Sequence, residues 1–223
     1  MMALCMLKIL YEDNHLIAVY KPAGVLVQGD ITGDKCLMDE VKEYLKEKYQ
    51  KPGNVFLGLL HRLDRPVSGV ILFAKTSKGA SRLSEQFRAH TVEKIYHALV
   101  ENKPTKNKAT LINYLKKDEQ KNFVTVYSTP TDGALRAELD YEVVEKKDNN
   151  YLIKIILKTG RSHQIRAQLS AIGCPIVGDI KYGSKIKKNF SEEIVGIALC
   201  ATSLSFETAT TKEIKTIKID PTF

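Results

Sequence analysis

The sequence predicts an α+β protein built on a mixed, mainly antiparallel sheet flanked by helices. Three observations lead there. Strand-forming, alternating segments outnumber helical ones along the chain. Between residues 109 and 157 four of them follow one another, ATLINYL, NFVTVYS, RAELDYEVVEKK and YLIKIILK, joined by Lys/Asp/Asn-rich turns as antiparallel neighbours are. No internal repeat or long linker interrupts the pattern, and 223 residues suffice for one sizeable core, so a single domain spanning 1–223 is expected.

Taken in order, LKILYEDNHLIAVYKPAG reads as two short strands around a polar EDNH turn, ended by a Lys-Pro-Ala-Gly turn. LMDEVKEYLKEKYQ is an amphipathic helix with Leu37, Val41, Tyr44, Leu45 and Lys48 at helical spacing, its charges forming a solvated face. VFLGLL and SGVILFAK are strands, the second apolar enough to be covered on both faces. TSKGASRLSEQFRAH is a helix capped by Thr76 or Ser77, with Ala80, Leu83 and Phe87 on one side. VEKIYHALVE alternates as a strand. KTGRSHQIRAQLSAIG feeds a turn into a helix with Ile165, Leu169 and Ile172 as its core stripe and Gly173 closing it. From IVGIALCATSLSF to EIKTIKI the chain returns to strands.

Composition narrows the partners. Lys and Arg outnumber Asp and Glu by 34 to 26, a net charge of +8 that favours a polyanion, nucleic acid before an anionic membrane surface. No basic amphipathic helix with a bulky apolar face supports the membrane reading, and no apolar run reaches the ~20 residues that span a bilayer. Cys5, Cys36, Cys174 and Cys200 are widely spaced and form no ligand pattern, and the start MMALCMLKIL lacks the organisation of a signal peptide. Free thiols in a cytoplasmic protein are expected. With no leftover amphipathic surface, the chain is expected to be a monomer.

Two clusters carry chemistry. In LLHRLDRPVSGVILFA, Asp64 stands between Arg62 and Arg65, where one apolar segment arrives and another leaves. Nearby guanidinium groups favour the ionised carboxylate, and such a group serves as nucleophile or general base. The plainer reading, a turn cap or structural ion pair, fits the spacing as well. In Gly160-Arg161-Ser162-His163-Gln164-Ile165-Arg166, a glycine turn into a helix suits a phosphate, and Arg166 is placed to reach inward. An ordinary cap at Ser162 with surface arginines reads equally well. Tyr96 is a half-buried strand tyrosine or an aromatic platform for a base. Gly178-Asp179 with Tyr182-Gly183 marks a turn. His61, His90 and His163 lack metal-ligand spacing, so no metal is expected. A Ser-His-Asp set from Ser68 or Ser162, His163 and Asp64 lacks the GxSxG elbow.

Together these segments resemble the RluA-type pseudouridine synthases. HRLDRPVSG resembles that family's HRLDxxTSG, YEDNHLIAVYKPAGVLV its first strand pair and KPxG turn, and KIYHALV its tyrosine-bearing strand. TGRSHQIRAQLSAIGCPIVGDIKYG resembles TGRxHQIRxHLxxxGxPIxGDxxYG. The resemblance runs from about residue 8 to 206, in the family's order. It implies the pseudouridine synthase fold, with a catalytic cleft, and isomerisation of uridine in ribosomal or transfer RNA. It makes Asp64 the catalytic aspartate, Tyr96 the active-site tyrosine and Arg166 the arginine that pairs with the aspartate. Arg62 is implied against the RNA, filling the space of a flipped base, and His61, Lys21, Arg161 and His163 are implied to shape the site or meet phosphates. Attack at C1′, at the base C6, or through a glycal all remain open, and no cofactor is required. The chain is expected to lack the separate N-terminal RNA-binding domain that many relatives carry.

Three positions depart from the pattern: Val67 replaces the threonine of TSG, Gln168 the histidine after IRx, and Cys200 the histidine of LHA. They leave a second reading, a non-catalytic RNA-binding or ribosome-assembly protein on a synthase scaffold. Retention of Asp64, Tyr96 and Arg166 argues against it.

Overall fold

Strands form where the sequence alternates or runs apolar, and the computed structural model, which describes residues 7–30, 33–186, 196–221 and 223, follows that rule closely. Cys5 and the first two residues of IVGIALC, 194 and 195, lie outside the described residues. The chain folds into two compact units, the first running through Val92 and resuming at Ser203–Ile219, the second comprising Glu93–Thr202 with the terminal residues from Asp220.

In the first unit, Ile9–Glu12 (β1) and Leu16–Lys21 (β2) pair antiparallel. Asp13 builds the turn between them, its Oδ1 accepting the backbone N–H groups of His15 and Leu16 at 2.7 Å each. Cys36 starts the helix Leu37–Lys48 (α1), where Asp39 accepts from the Cys36 N–H and thiol, and Leu37, Val41 and Leu45 are buried. The polar side of α1 is more than a solvated face. Lys48 and Lys75 reach Glu12 at 2.8 and 2.6 Å, and the Tyr44 and Tyr49 hydroxyls donate to the same carboxylate. Burial raises the Glu12 carboxyl, but these four donors outweigh it and hold it at about 2.

The expected strand VFLGLL contracts to Gly58–Leu59 (β3), and Phe56 stands exposed. Ser68–Ala74 (β4) is buried at every residue, as an uninterrupted apolar run requires, and pairs antiparallel with β2 and β3. Thr76 caps the helix Ser77–Arg88 (α2), its hydroxyl accepting from the Gly79 N–H at 3.1 Å. Gly79 has to be glycine, because a Cβ there would lie 2.6 Å from the His15 carbonyl oxygen. Leu83 of α2 joins Leu16, Ala18, Val70, Leu72 and Val92 in the core.

In the second unit, Glu93–Val100 (β5), Lys108–Asp118 (β6), Phe123–Tyr127 (β7), Leu135–Lys147 (β8) and Asn150–Leu157 (β9) pair antiparallel in the order β5-β9-β8-β6-β7. The four antiparallel strands predicted within residues 109–157 are therefore present, with β8 pairing with β6 and β9 rather than with its predecessor β7. Gln164–Ala171 (α3) differs from expectation in two respects. Its residue before the first turn is His163, in the left-handed region at φ 49°, so Ser162 is not the cap. It is buried on both sides, at Gln164, Arg166 and Gln168 as well as Ile165 and Leu169, while Ile172, expected in the core stripe, is 38% exposed. Gly173 follows the helix at φ 75°, the left-handed turn that glycine adopts without strain. Leu199–Glu207 (β10) ends in the first unit, where its residues from Ser203 onward pair antiparallel with Ile214–Lys218 (β11). Among the described residues no helix is long and apolar enough to cross a membrane.

Candidate active site

Asp64 lies in the irregular segment between β3 and β4, half-buried, in a turn that the Val67 N–H closes onto the Asp64 carbonyl at 3.0 Å. β4 begins just beyond, and its Gly69, at φ 132°, stands opposite Lys21 in the register with β2, a conformation open to glycine alone at low cost. Lys21 is fully buried and acts as a hub. Its ammonium donates to the carbonyls of Pro22, Val25 and Arg65 at 3.0, 2.8 and 3.0 Å. The Gly24 N–H donates to the Arg65 carbonyl as well, at 2.8 Å. The Lys-Pro-Ala-Gly turn and the Asp64 segment are thus tied at one charged atom. Burial pushes the Lys21 ammonium down to about 7, with the Asp64 charge pulling it up and Arg65 adding to the fall.

The neighbours of Asp64 divide by exposure. Arg65, one of the two guanidiniums expected to keep Asp64 charged, donates to the Gly24 carbonyl at 2.9 Å and meets Asp34 at 3.0 Å. Arg62 is exposed. His61 turns inward: its Nε2 accepts the Leu72 N–H at 3.0 Å, and its ring stacks on Phe87 at 5.0 Å. Val67 is 3% exposed, which accounts for an apolar residue where the family pattern has threonine.

Arg166, in the second unit, sits in a cage. Its Nε and Nη2 donate to the two carboxylate oxygens of Asp179 at 2.7 and 2.9 Å, and both side chains are almost wholly buried. The guanidinium lies 4.9 Å from the centre of the Tyr182 ring. Tyr182 is fixed in turn by stacking on Phe123 at 4.9 Å, by the Val124 N–H that its hydroxyl accepts at 2.9 Å, and by His163 Nδ1 at 2.8 Å. A bidentate arginine with its plane held by a carboxylate and a ring has one orientation available.

The turn ahead of α3 is anchored as firmly. Gln164 accepts from the Thr159 hydroxyl at 2.8 Å and the Arg161 N–H at 3.0 Å, and donates to the Glu138 carbonyl at 3.1 Å. Arg161 Nε donates to the Arg136 carbonyl at 3.0 Å. Gln168 ties α3 to β6 through Asn113 at 2.7 Å, so the residue replacing the family histidine has a structural contact. Tyr96, 8% exposed, lies on β5 opposite Ile155.

Of the predicted site residues, the first unit gathers Lys21 with the Asp64 segment, and the second gathers His163 with Arg166. Lys21, His61, Arg161 and His163, expected to shape the site or meet RNA, all make bonds within their own units. Asp179 and Tyr182, read from the sequence as a turn, hold the arginine. The GDxxYG match in the family segment was the signal that pointed to them.

The solved human RNA pseudouridylate synthase domain containing 4 is similar over 96% of this chain and 88% of its own, with a TM-score of 0.77 at 23% identity. The fold is therefore that of the pseudouridylate synthase domains. The chain belongs to the RNA pseudouridylate synthase family, whose model matches residues 15–171. Ribosomal large subunit pseudouridine synthase C of Rickettsia prowazekii (strain Madrid E) is 36% identical over 79% of this chain and 56% of its own length. The chain thus spans about half the length of that relative. The tRNA pseudouridine synthase C of Vibrio cholerae serotype O1 (strain ATCC 39315 / El Tor Inaba N16961) is 34% identical over 84% of this chain and 79% of its own.

Proposed function

We propose that this chain is an RNA pseudouridine synthase that isomerises uridine in ribosomal RNA, transfer RNA or both. The observation that carries this is the family match over residues 15–171, within which Asp64, Tyr96 and Arg166 all fall. The names of the relatives supply the two RNA classes. In the reaction the N1–C1′ bond breaks, uracil turns, C5 joins C1′, the C5 proton leaves and N1 takes up a proton. Asp64 is assigned as the nucleophile that opens the glycosidic bond. Tyr96 is the aromatic platform for uracil, and it or a water it holds assists loss of the C5 proton. Arg166, in the role the family pattern gives it, keeps the aspartate in its reactive ionised form. Arg62 is assigned to the place of a flipped base, since the target atoms of a stacked uridine are out of reach. Nothing in this balance needs an oxidant or an external group.

The test uses ribosomal and transfer RNA made with uridine tritiated at C5. The wild-type chain is expected to release tritium as C5 bonds to C1′, and Asp64→Asn to release none while retaining RNA binding. Full activity in Asp64→Asn would remove the nucleophile assignment. Absence of release from both RNAs in the wild type, with binding intact, would favour the binding-protein reading.

A further inference from the structure

β5 carries a second polar group on the face that holds Tyr96. Lys94 is two residues earlier, so its side chain leaves the strand on the same side. It is 9% exposed, and among the described residues no carboxylate, carbonyl or hydroxyl meets its ammonium. Burial alone lowers its pKa, and no neighbouring charge contributes. The Lys94 ammonium is not among the fully buried polar atoms left without a partner, so it keeps some contact with solvent. A lysine with its stem packed and its tip unmatched has lost hydration without gaining an ion pair.

The glycine beside it gives the second observation. A Cβ placed on Gly160 would meet one thing within 4 Å, the Lys94 ammonium at 4.0 Å. Gly160 is not among the residues at positive φ. Neither packing nor the left-handed region demands glycine here. What a side chain would do is begin to cover the Lys94 ammonium. A glycine that steric and conformational needs leave unexplained, beside a cation with no partner among the described residues, is the arrangement a close-approaching ligand requires.

We infer that Lys94 and the bare backbone of Gly160 form a binding site for one phosphate of the RNA strand. The net charge of the chain and the lack of a competing carboxylate among the described residues select an anion, and a phosphodiester is the anion that RNA presents. This rests on the proposed function, which supplies the RNA, and gives a role to Lys94, a residue of the KIYHALV segment to which the resemblance assigned none. Lys94 binds and positions; it takes no part in bond breaking.

The experiment measures the affinity of fluorescently labelled bulk transfer RNA and deproteinised ribosomal RNA between roughly 50 and 200 mM salt. The proteins are the wild type, Lys94→Gln, Lys94→Arg and Gly160→Val. Loss of one phosphate contact flattens the slope of log affinity against log salt by about 0.7 to 0.9. Lys94→Gln and Gly160→Val should both show that change, one by removing the charge and the other by covering it, while Lys94→Arg keeps the wild-type slope. Gly160→Val leaves the lysine stem in the fold, so it decides the matter should Lys94→Gln fail to fold. Equal slopes in the wild type and Gly160→Val overturn the site. If the wild type still releases tritium in that case, the proposed function stands alone; a wild type that neither binds RNA nor releases tritium overturns both.

Discussion

The Asp64 segment and the Arg166 cage place their key side chains by opposite means. In the Asp64 segment the bonds described above end mostly on backbone: one ammonium, on Lys21, gathers three backbone carbonyls, and turns tie the strands to it. Around Arg166 the backbone contributes little, and a carboxylate, two rings and an imidazole fix the guanidinium. The first arrangement leaves the aspartate half-buried; the second buries its arginine almost completely. In the roles proposed above, a nucleophile has to be reached, whereas an arginine that only supplies positive charge has to stay put.

The cage is where the comparison breaks most sharply. Asp179→Asn removes the negative charge from a buried bidentate pair and should cost about 3–5 kcal/mol of stability, read from urea unfolding. Replacing both partners, Arg166→Met with Asp179→Leu, should recover most of that loss, because a well-packed apolar pair avoids the desolvation of two ions. The double variant should nevertheless release no tritium. Recovery of stability together with activity would reduce the pair to scaffolding.

The Lys21 hub should show itself through pH. The ammonium releases its proton near 7 in the folded chain and near 10.5 when unfolded. Between those values the unfolded state binds the extra proton, so stability rises with pH across the window. The gain has a ceiling of about 1.4 kcal/mol for each pH unit. Wild-type stability minus that of Lys21→Met, measured between pH 7 and 10, should therefore climb. Lys21→Arg stays charged throughout and should lack the climb. A flat difference would mean that burial does not depress Lys21.

These two regions also mark how far the sequence could be read. The strands β6 to β9 were legible because alternation is a local property, and residues 109–157 display it. The helix of residues 164–171 was legible as a helix, with Arg166 read either as reaching inward or as a surface arginine and no burial read for Gln164 or Gln168. Arg166, Gln164 and Gln168 are buried because Asp179, Thr159 and Asn113 satisfy them, and those partners come from distant positions that no local period connects. The same reasoning hid Asp179 and Tyr182 inside an ordinary-looking turn. Asp64 stood out for its arginine neighbours, yet Arg65 is spent on Gly24 and Asp34, and the cation nearest in purpose was Lys21, 43 positions earlier.

The smallest effect belongs to Val67, and it separates the two ways of placing a side chain. Its side chain is buried beside the Asp64 turn, and the family pattern has a threonine there. If the backbone hub positions Asp64, the residue at 67 matters only through its burial. Val67→Thr then places a hydroxyl in an apolar site and should lower stability by about 1–2 kcal/mol, the cost of a poorly matched buried polar group. Tritium release should stay within about twofold of wild type, since the Asp64 carbonyl still receives the residue 67 N–H. A rise in activity of tenfold or more, about 1.4 kcal/mol at the transition state, would show that a hydroxyl at this position takes part in aiming the aspartate. In that case the Asp64 segment would rely on side chains as the Arg166 cage does, and the contrast between the two would belong to this chain's valine alone.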